Sequence, residues 1–150
     1  MSLKDTIQND TKAALLSGNR FVGDTLRNLK AAILDEEVAT GKREEGLSDS
    51  EIEKIIAREV KKRNESIAVY KQNGREDLAD NERKEAEVLV KYLPEQLSED
   101  ELSKIIDVKI SDLGVSGPQA MGQVIGAVKQ QVGTSADGAL IAKLVKEKLN

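Results

Sequence analysis

Residues 48–74 read SDSEIEKIIAREVKKRNESIAVYKQNG. Ser48 and Glu51 stand at capping-box spacing, in which each side chain satisfies an orphan backbone donor of a starting helix. Ile52, Ile56, Val60, Ile67 and Tyr70 then recur on one face at 100° per residue. Gly74 is placed to end the run in a left-handed conformation. A segment this long, with its own start and stop signals, is a helix, and the flanking chain repeats the same grammar.

Upstream, a first helix is expected over about Leu3 to Leu16, with Ser2 as its cap and Gly18 beyond its end. A second covers about Asn19 to Thr40 and carries the stripe Val22, Leu26, Leu29 and Ile33. Gly41 and Gly46 bracket a polar connection. Downstream, a fourth helix is expected from about Arg75 to Leu93, stopped by Pro94. Ser98 and Glu101 repeat the capping-box spacing and open a fifth helix that closes at Gly114. Pro118 sits at the start of a sixth, where its missing N–H costs nothing, and Gly133 lies past its end. Asp137 opens a seventh bearing Ile141, Leu144, Val145 and Leu149. Only two prolines occur and aromatics are 2% of the chain; sustained period-two alternation is missing. The expectation is all-α: an N-terminal domain of about four helices over residues 1–95, then a small three-helix domain over residues 96–150.

Composition removes much chemistry at once. With no Cys and no His, disulfides, Cys/His zinc sites, thiol nucleophiles and histidine bases are excluded. There is no G-x-x-x-x-G-K-[ST] loop and no G-x-G-x-x-G after a strand, and no serine lies in a G-x-S-x-G elbow. No cofactor, metal or catalytic residue is assigned. Asp35-Glu36-Glu37 and Glu44-Glu45 read as surface charge. The net charge is −4, from 23 basic and 27 acidic residues, the wrong sign for nonspecific phosphate binding, so no DNA partner is expected. Two Tyr, one Phe and no Trp leave no stacking platform for bases. The sequence lacks an apolar run long enough for a membrane span. Together with a polar start and the absence of Cys, this gives the expectation of a cytosolic protein.

Two constellations stand out. Glu59 and Arg63 fall at i, i+4 on the apolar face of the third helix. A charged pair there survives only if well matched, so Arg63 is expected to be buried against a carboxylate (Glu59, Glu36 or Glu37) and to fix helix register. In the second domain, Met121, Val124, Ile125, Val128 and Val132 form the core stripe of the sixth helix, with Gly122, Gly126 and Lys129 on its flank. The glycine pair is expected to admit a neighbouring backbone in helix packing. Lys143 and Lys146 share the polar face of the seventh helix, while Lys148 lies nearer the apolar stripe and should snorkel. Gly122, Gly126, Lys129, Lys143 and Lys146 are the candidate surface for an RNA or a partner protein.

Several segments resemble the bacterial YqeY-like family: Leu29-Lys30-Ala31-Ala32-Ile33 with Glu36-Glu37, Val60 through Ile67, Gly74-Arg75-Glu76-Asp77-Leu78-Ala79, and Tyr92-Leu93-Pro94-Glu95-Gln96-Leu97-Ser98. Met121 through Gly126, Ala136-Asp137-Gly138 and Leu144 through Leu149 continue the match, collinear over nearly the whole chain. The resemblance implies an all-helical, two-part protein whose second part is similar to the tail domain of the B subunit of the tRNA-dependent Asp/Glu amidotransferase, a tRNA-contacting module. It therefore implies tRNA, or an aminoacylation or amidation complex, as partner. The family also carries a label of carbon–nitrogen ligase with glutamine as amido donor, through this shared tail. No amidase signature or ATP site accompanies it here, which favours a noncatalytic role; a helical protein–protein adaptor without RNA contact is the alternative.

Overall fold

The computed structural model describes residues 1–150 and is all-α, without a strand. The chain divides into two compact units, Met1–Leu93 and Pro94–Asn150. Unit 1 holds α1 (Leu3–Leu16), α2 (Arg20–Ala39), α3 (Asp49–Gln72) and α4 (Glu76–Val90). Unit 2 holds α5 (Glu99–Leu113), α6 (Met121–Val132) and α7 (Gly138–Leu149), with 3-10 turns at Pro118–Ala120 and Gly133–Ser135.

The capping chemistry is seen in place. Ser48 Oγ accepts from the Glu51 N–H at 3.2 Å, and the Glu51 carboxylate accepts from the Ser48 N–H at 2.8 Å. Gly74 ends the α3 region with φ +70°, and Gly114 caps α5 with φ +64°. Both are backbone states that cost a side-chain-bearing residue about 1–2 kcal/mol. The second box is only half made: Ser98 Oγ accepts from the Glu101 N–H at 3.1 Å, with no reciprocal bond. Asp137 occupies the N-cap of α7 without a side-chain cap bond.

One boundary moves. α4 stops at Val90 and not at Leu93. The residue before a proline is steered out of the helical region, and the chain there tightens into turns, Tyr92 N–H to Leu89 C=O at 3.1 Å and Leu93 N–H to Val90 C=O at 3.0 Å. Tyr92 is held in turn by its hydroxyl, which donates to Asp10 on α1 at 2.6 Å. Burial and then the Asp10 carboxylate push the Tyr92 phenol well above the ordinary tyrosine range.

Unit 1 is fastened by α2, whose Leu26, Leu29 and Ile33 meet Ile52, Ile55 and Ile56 of α3 in one buried cluster. Each such side chain is worth about 1.5–3 kcal/mol relative to exposure. Beyond Ile56, α3 has no fully buried residue. It continues as the first arm of a hairpin with α4, whose Ala79, Ala86 and Leu89 are buried. Unit 2 has its own core, with Leu102 and Ile106 of α5, Val124 and Val128 of α6, and Ile141 and Val145 of α7.

Candidate functional site

In unit 2 the buried stripe of α6 runs through Val124 and Val128. At 100° per residue, Gly122, Gly126 and Lys129 fall within an arc of about 60° on the other side, and all three are exposed. Apart from the neighbouring backbone of α6 itself, no heavy atom lies within 4 Å of where a Cβ would stand at Gly122 or Gly126. The expectation that this pair seats a neighbouring backbone is therefore corrected: the core stripe uses the opposite side of α6, and the glycines leave a bare strip facing solvent. The close-approach glycine of this fold is Gly23 on α2, where a Cβ would stand 2.6 Å from Leu15 Cδ2.

Lys129 reaches over the first turn of α7. Its Cε and Nζ lie 3.4 Å from where a Cβ of Gly138 would stand. Lys143 and Lys146 project from the exposed face of α7, opposite Ile141, Leu144 and Val145. None of these three lysines forms an ion pair, whereas Lys148 is drawn down to Asp107 at 2.7 Å and is only 23% exposed. The result is a strip of uncovered α6 backbone ending in a cation, with two further unpaired cations on α7.

In unit 1 the Arg63 side chain is 12% exposed and lies between two carboxylates, Glu59 at 3.3 Å and Glu85 at 3.1 Å. It also donates to the Glu59 carbonyl at 3.0 Å. Glu85, on α4, is the partner that the sequence reading did not name. Glu36 and Glu37, which it did name, are engaged elsewhere: Glu36 with Arg58 at 3.7 Å and Glu37 with Lys4 at 2.7 Å. Burial pushes the Glu59 carboxyl up, but hydrogen bonds and charge from Lys62 and Arg63 outweigh it and leave it below the usual range. Nearby Glu82 is raised, by burial and then by Glu85. This cluster ties α3 to α4.

Glu37 corrects a second reading. The run Asp35-Glu36-Glu37 reads as surface charge, yet Glu37 is 1% exposed. Its carboxylate accepts from Lys4 Nζ at 2.7 Å and from the Leu47 N–H at 3.3 Å. The Lys4 hydrogen bond, working against burial, holds its carboxyl below the ordinary value. A carboxylate already ionised and occupied by two donors anchors α1 and the loop before α3; it is not poised as a general base. The sequence signal was its place at i+4 from Ile33, on the continuation of the buried stripe of α2. No group of three or more acidic side chains is arranged to hold a metal ion, and no helix is long and apolar enough to cross a membrane.

These features define a two-unit helical protein whose buried charges serve as structural ties. The chain matches the family described as Yqey-like protein over residues 4–149 and belongs to it. Three fungal relatives bear the name "Altered inheritance of mitochondria protein 41, mitochondrial". The one from Clavispora lusitaniae is 29% identical over 92 residues, covering 61% of this chain and 52% of that protein. The one from Pyrenophora tritici-repentis is 26% identical over 144 residues, covering 94% and 77%. The one from Kluyveromyces lactis is 26% identical over 126 residues, covering 81% and 66%. The chain thus spans about half the length of the Clavispora protein it matches.

The relatives overturn the cytosolic expectation, since all three are named as mitochondrial proteins. The physical reason for the error is plain. Lack of Cys and of a long apolar run is shared by proteins of every reducing aqueous compartment, so those features do not discriminate between them.

Proposed function

We propose that this protein is a noncatalytic accessory whose second unit lies against tRNA, free or within an aminoacylation or amidation complex. The observation that carries the reading is on α6 and α7: Lys129, Lys143 and Lys146 are exposed and without a carboxylate partner, and the α6 backbone on the face of Lys129 is left bare at Gly122 and Gly126. Unpaired lysines release counterions on meeting phosphate, while bare helix backbone lets a ribose–phosphate chain come close. Membership of the YqeY-like family supports the same reading.

The magnitude is modest. Three phosphate contacts give a salt slope of about −2.7, so binding weakens by about 40-fold between 50 and 200 mM salt. Filter binding of bulk tRNA to the full chain measures this. Lys143→Gln with Lys146→Gln should leave one contact and a loss of only about 3–4-fold over the same range. An unchanged slope removes these residues from the surface. No retention of tRNA at low salt defeats the RNA reading and favours the helical adaptor. Glutamine-dependent conversion of a mischarged tRNA by the purified chain alone would overturn the noncatalytic half of the proposal.

A further inference from the structure

A cleft of about 250 Å³ opens on unit 1 between α1 and α2, with Arg43 of the following loop at its edge. Its floor is apolar, from Ile7, Ile33 and Leu34, and its polar lining is Gln8 with the charged Lys4, Lys30, Arg43 and Glu37. Glu37 and Lys4 neutralise each other at 2.7 Å. Lys30 and Arg43 form no ion pair with any carboxylate of the chain, and both are exposed. In a protein of net charge −4, the lining of this cleft carries three cations and one carboxylate, with Arg43 helping to hold Glu37 ionised, and so is positive overall.

The apolar surface does not stop at the cleft. Ala31, Leu34 and Val38 follow at i, i+3 and i+7 along α2, a strip about 10 Å long. Leu34 is 39% and Val38 62% exposed. A small ligand needs a pocket of about 300–1,000 Å³ that encloses most of its surface. This cleft is smaller, open along one side, and continues as an exposed ridge. That shape fits the apolar stripe of a helix laid along α2, the helix-in-groove mode read as i, i+3, i+4 anchors.

We infer that the α1–α2 cleft of unit 1 docks an acidic amphipathic helix of a partner protein, its apolar anchors on Ala31, Leu34 and Val38 and its carboxylates on Lys30 and Arg43. The inference is independent of the tRNA reading, because every residue it uses lies in unit 1. Charge complementarity sets the sign of the partner: a basic helix would bring like charges to Lys30 and Arg43, and a neutral one would leave both cations unmatched.

Fluorescence anisotropy tests this with the full chain and two labelled peptides. One is an amphipathic helix with Leu at i, i+3 and i+7 flanked by Glu; the other is the same peptide with Lys in place of Glu. The Glu peptide should bind at least about tenfold more tightly, the equivalent of about 1.4 kcal/mol. Lys30→Glu with Arg43→Glu should reverse that preference, and Leu34→Gln should weaken the Glu peptide by a similar factor. All three positions are exposed, and tyrosine emission on urea unfolding verifies that each variant is folded. Equal affinity for both peptides, or a preference unmoved by the charge reversal, overturns the inference. Displacement of the peptide by millimolar octanoate would assign the cleft to a small anionic amphiphile and overturn it equally.

Discussion

Replacing Arg63 by Met removes the guanidinium while keeping the apolar stem, so it isolates the charge at the α3–α4 tie. What remains is Glu59, Glu82 and Glu85 on facing helices with Lys62 as the nearest counter-charge, itself 71% exposed. Breaking a fully buried ion pair costs about 3–5 kcal/mol, whereas exposed pairs are worth about 0–1 kcal/mol. Here Arg63, Glu59 and Glu85 are 12%, 15% and 28% exposed. The cost therefore falls between those limits, at about 2 kcal/mol. With a urea m-value of about 1.5 kcal/mol/M, the midpoint should drop by about 1.3 M. Tyr70 and Tyr92, the chain's two tyrosines, both lie in unit 1, and there is no Trp. Tyrosine emission consequently follows the unfolding of unit 1 alone. The pH dependence has a definite sign. In the parent protein Glu59 is held below its ordinary value, so its contribution is present above pH 4.5 and fades as acid protonates it. In the variant, burial and mutual repulsion raise the carboxyls, so the folded state binds protons more tightly than the unfolded one and gains relative stability as pH falls. The gap between parent and variant should therefore narrow from pH 7 toward pH 4. Adding Glu85→Gln should recover part of the loss, because it removes one of the stranded charges. A gap below about 0.5 kcal/mol, or one that stays constant with pH, would refute the claim that Arg63 neutralises this cluster.

Gly122→Ala and Gly126→Ala have room for the new methyl group and should each stabilise unit 2 by about 0.5–1 kcal/mol through helix propensity. If the bare strip serves tRNA, the same changes should weaken retention in the filter assay; gain of stability with undiminished binding would separate the glycines from the surface. Glu51 accepts from Lys42 at 2.5 Å and from the Ser48 N–H, and the first of these leads in bringing its carboxyl down from 4.5 to about 2. Its contribution is present above pH 4.5 and lost as pH falls toward 2. Glu51→Gln keeps the capping geometry and loses the charge, so the difference from the parent in tyrosine-monitored unfolding should be largest near neutrality and vanish in acid. A difference as large at pH 2.5 as at pH 7 would show that the charge was not its source.

What could be read in advance follows how local the determinants are. Caps, glycine stops and apolar stripes act within one or two turns, so α1, α2 and α3 were legible nearly to the residue from Ser2, Leu26–Leu29–Ile33 and Ser48–Glu51. Partner choice is not local. The i, i+4 spacing of Glu59 and Arg63 sits within one helix and was visible, but Glu85 is brought to Arg63 only by the α3–α4 hairpin, across 22 positions of chain. Lys4 meets Glu37 across 33 positions, and no motif in either segment announces it. Glycine meaning is also set by neighbours: Gly122 and Gly126 share the spacing of a packing pair, yet the core of unit 2 takes the other side of α6.

The same distinction separates the ties of this protein from its surfaces. Lys4, Arg63 and Lys148 each end on a carboxylate between segments of their own unit, at 2.7, 3.1 and 2.7 Å respectively. Their charge is spent on the fold. Lys30, Arg43, Lys129, Lys143 and Lys146 end on none, as do exposed lysines elsewhere such as Lys61, Lys91 and Lys104; what sets Lys30 and Arg43 apart is that they line an apolar cleft of unit 1, and what sets Lys129 apart is that it stands on the bare face of α6 in unit 2. The two settings differ in chemistry, so the proposed occupants differ too: an apolar cleft flanked by cations suits an acidic amphipathic helix, exposed lysines with bare helix backbone suit a phosphate chain, and charge reversal on one unit should leave binding to the other unmoved.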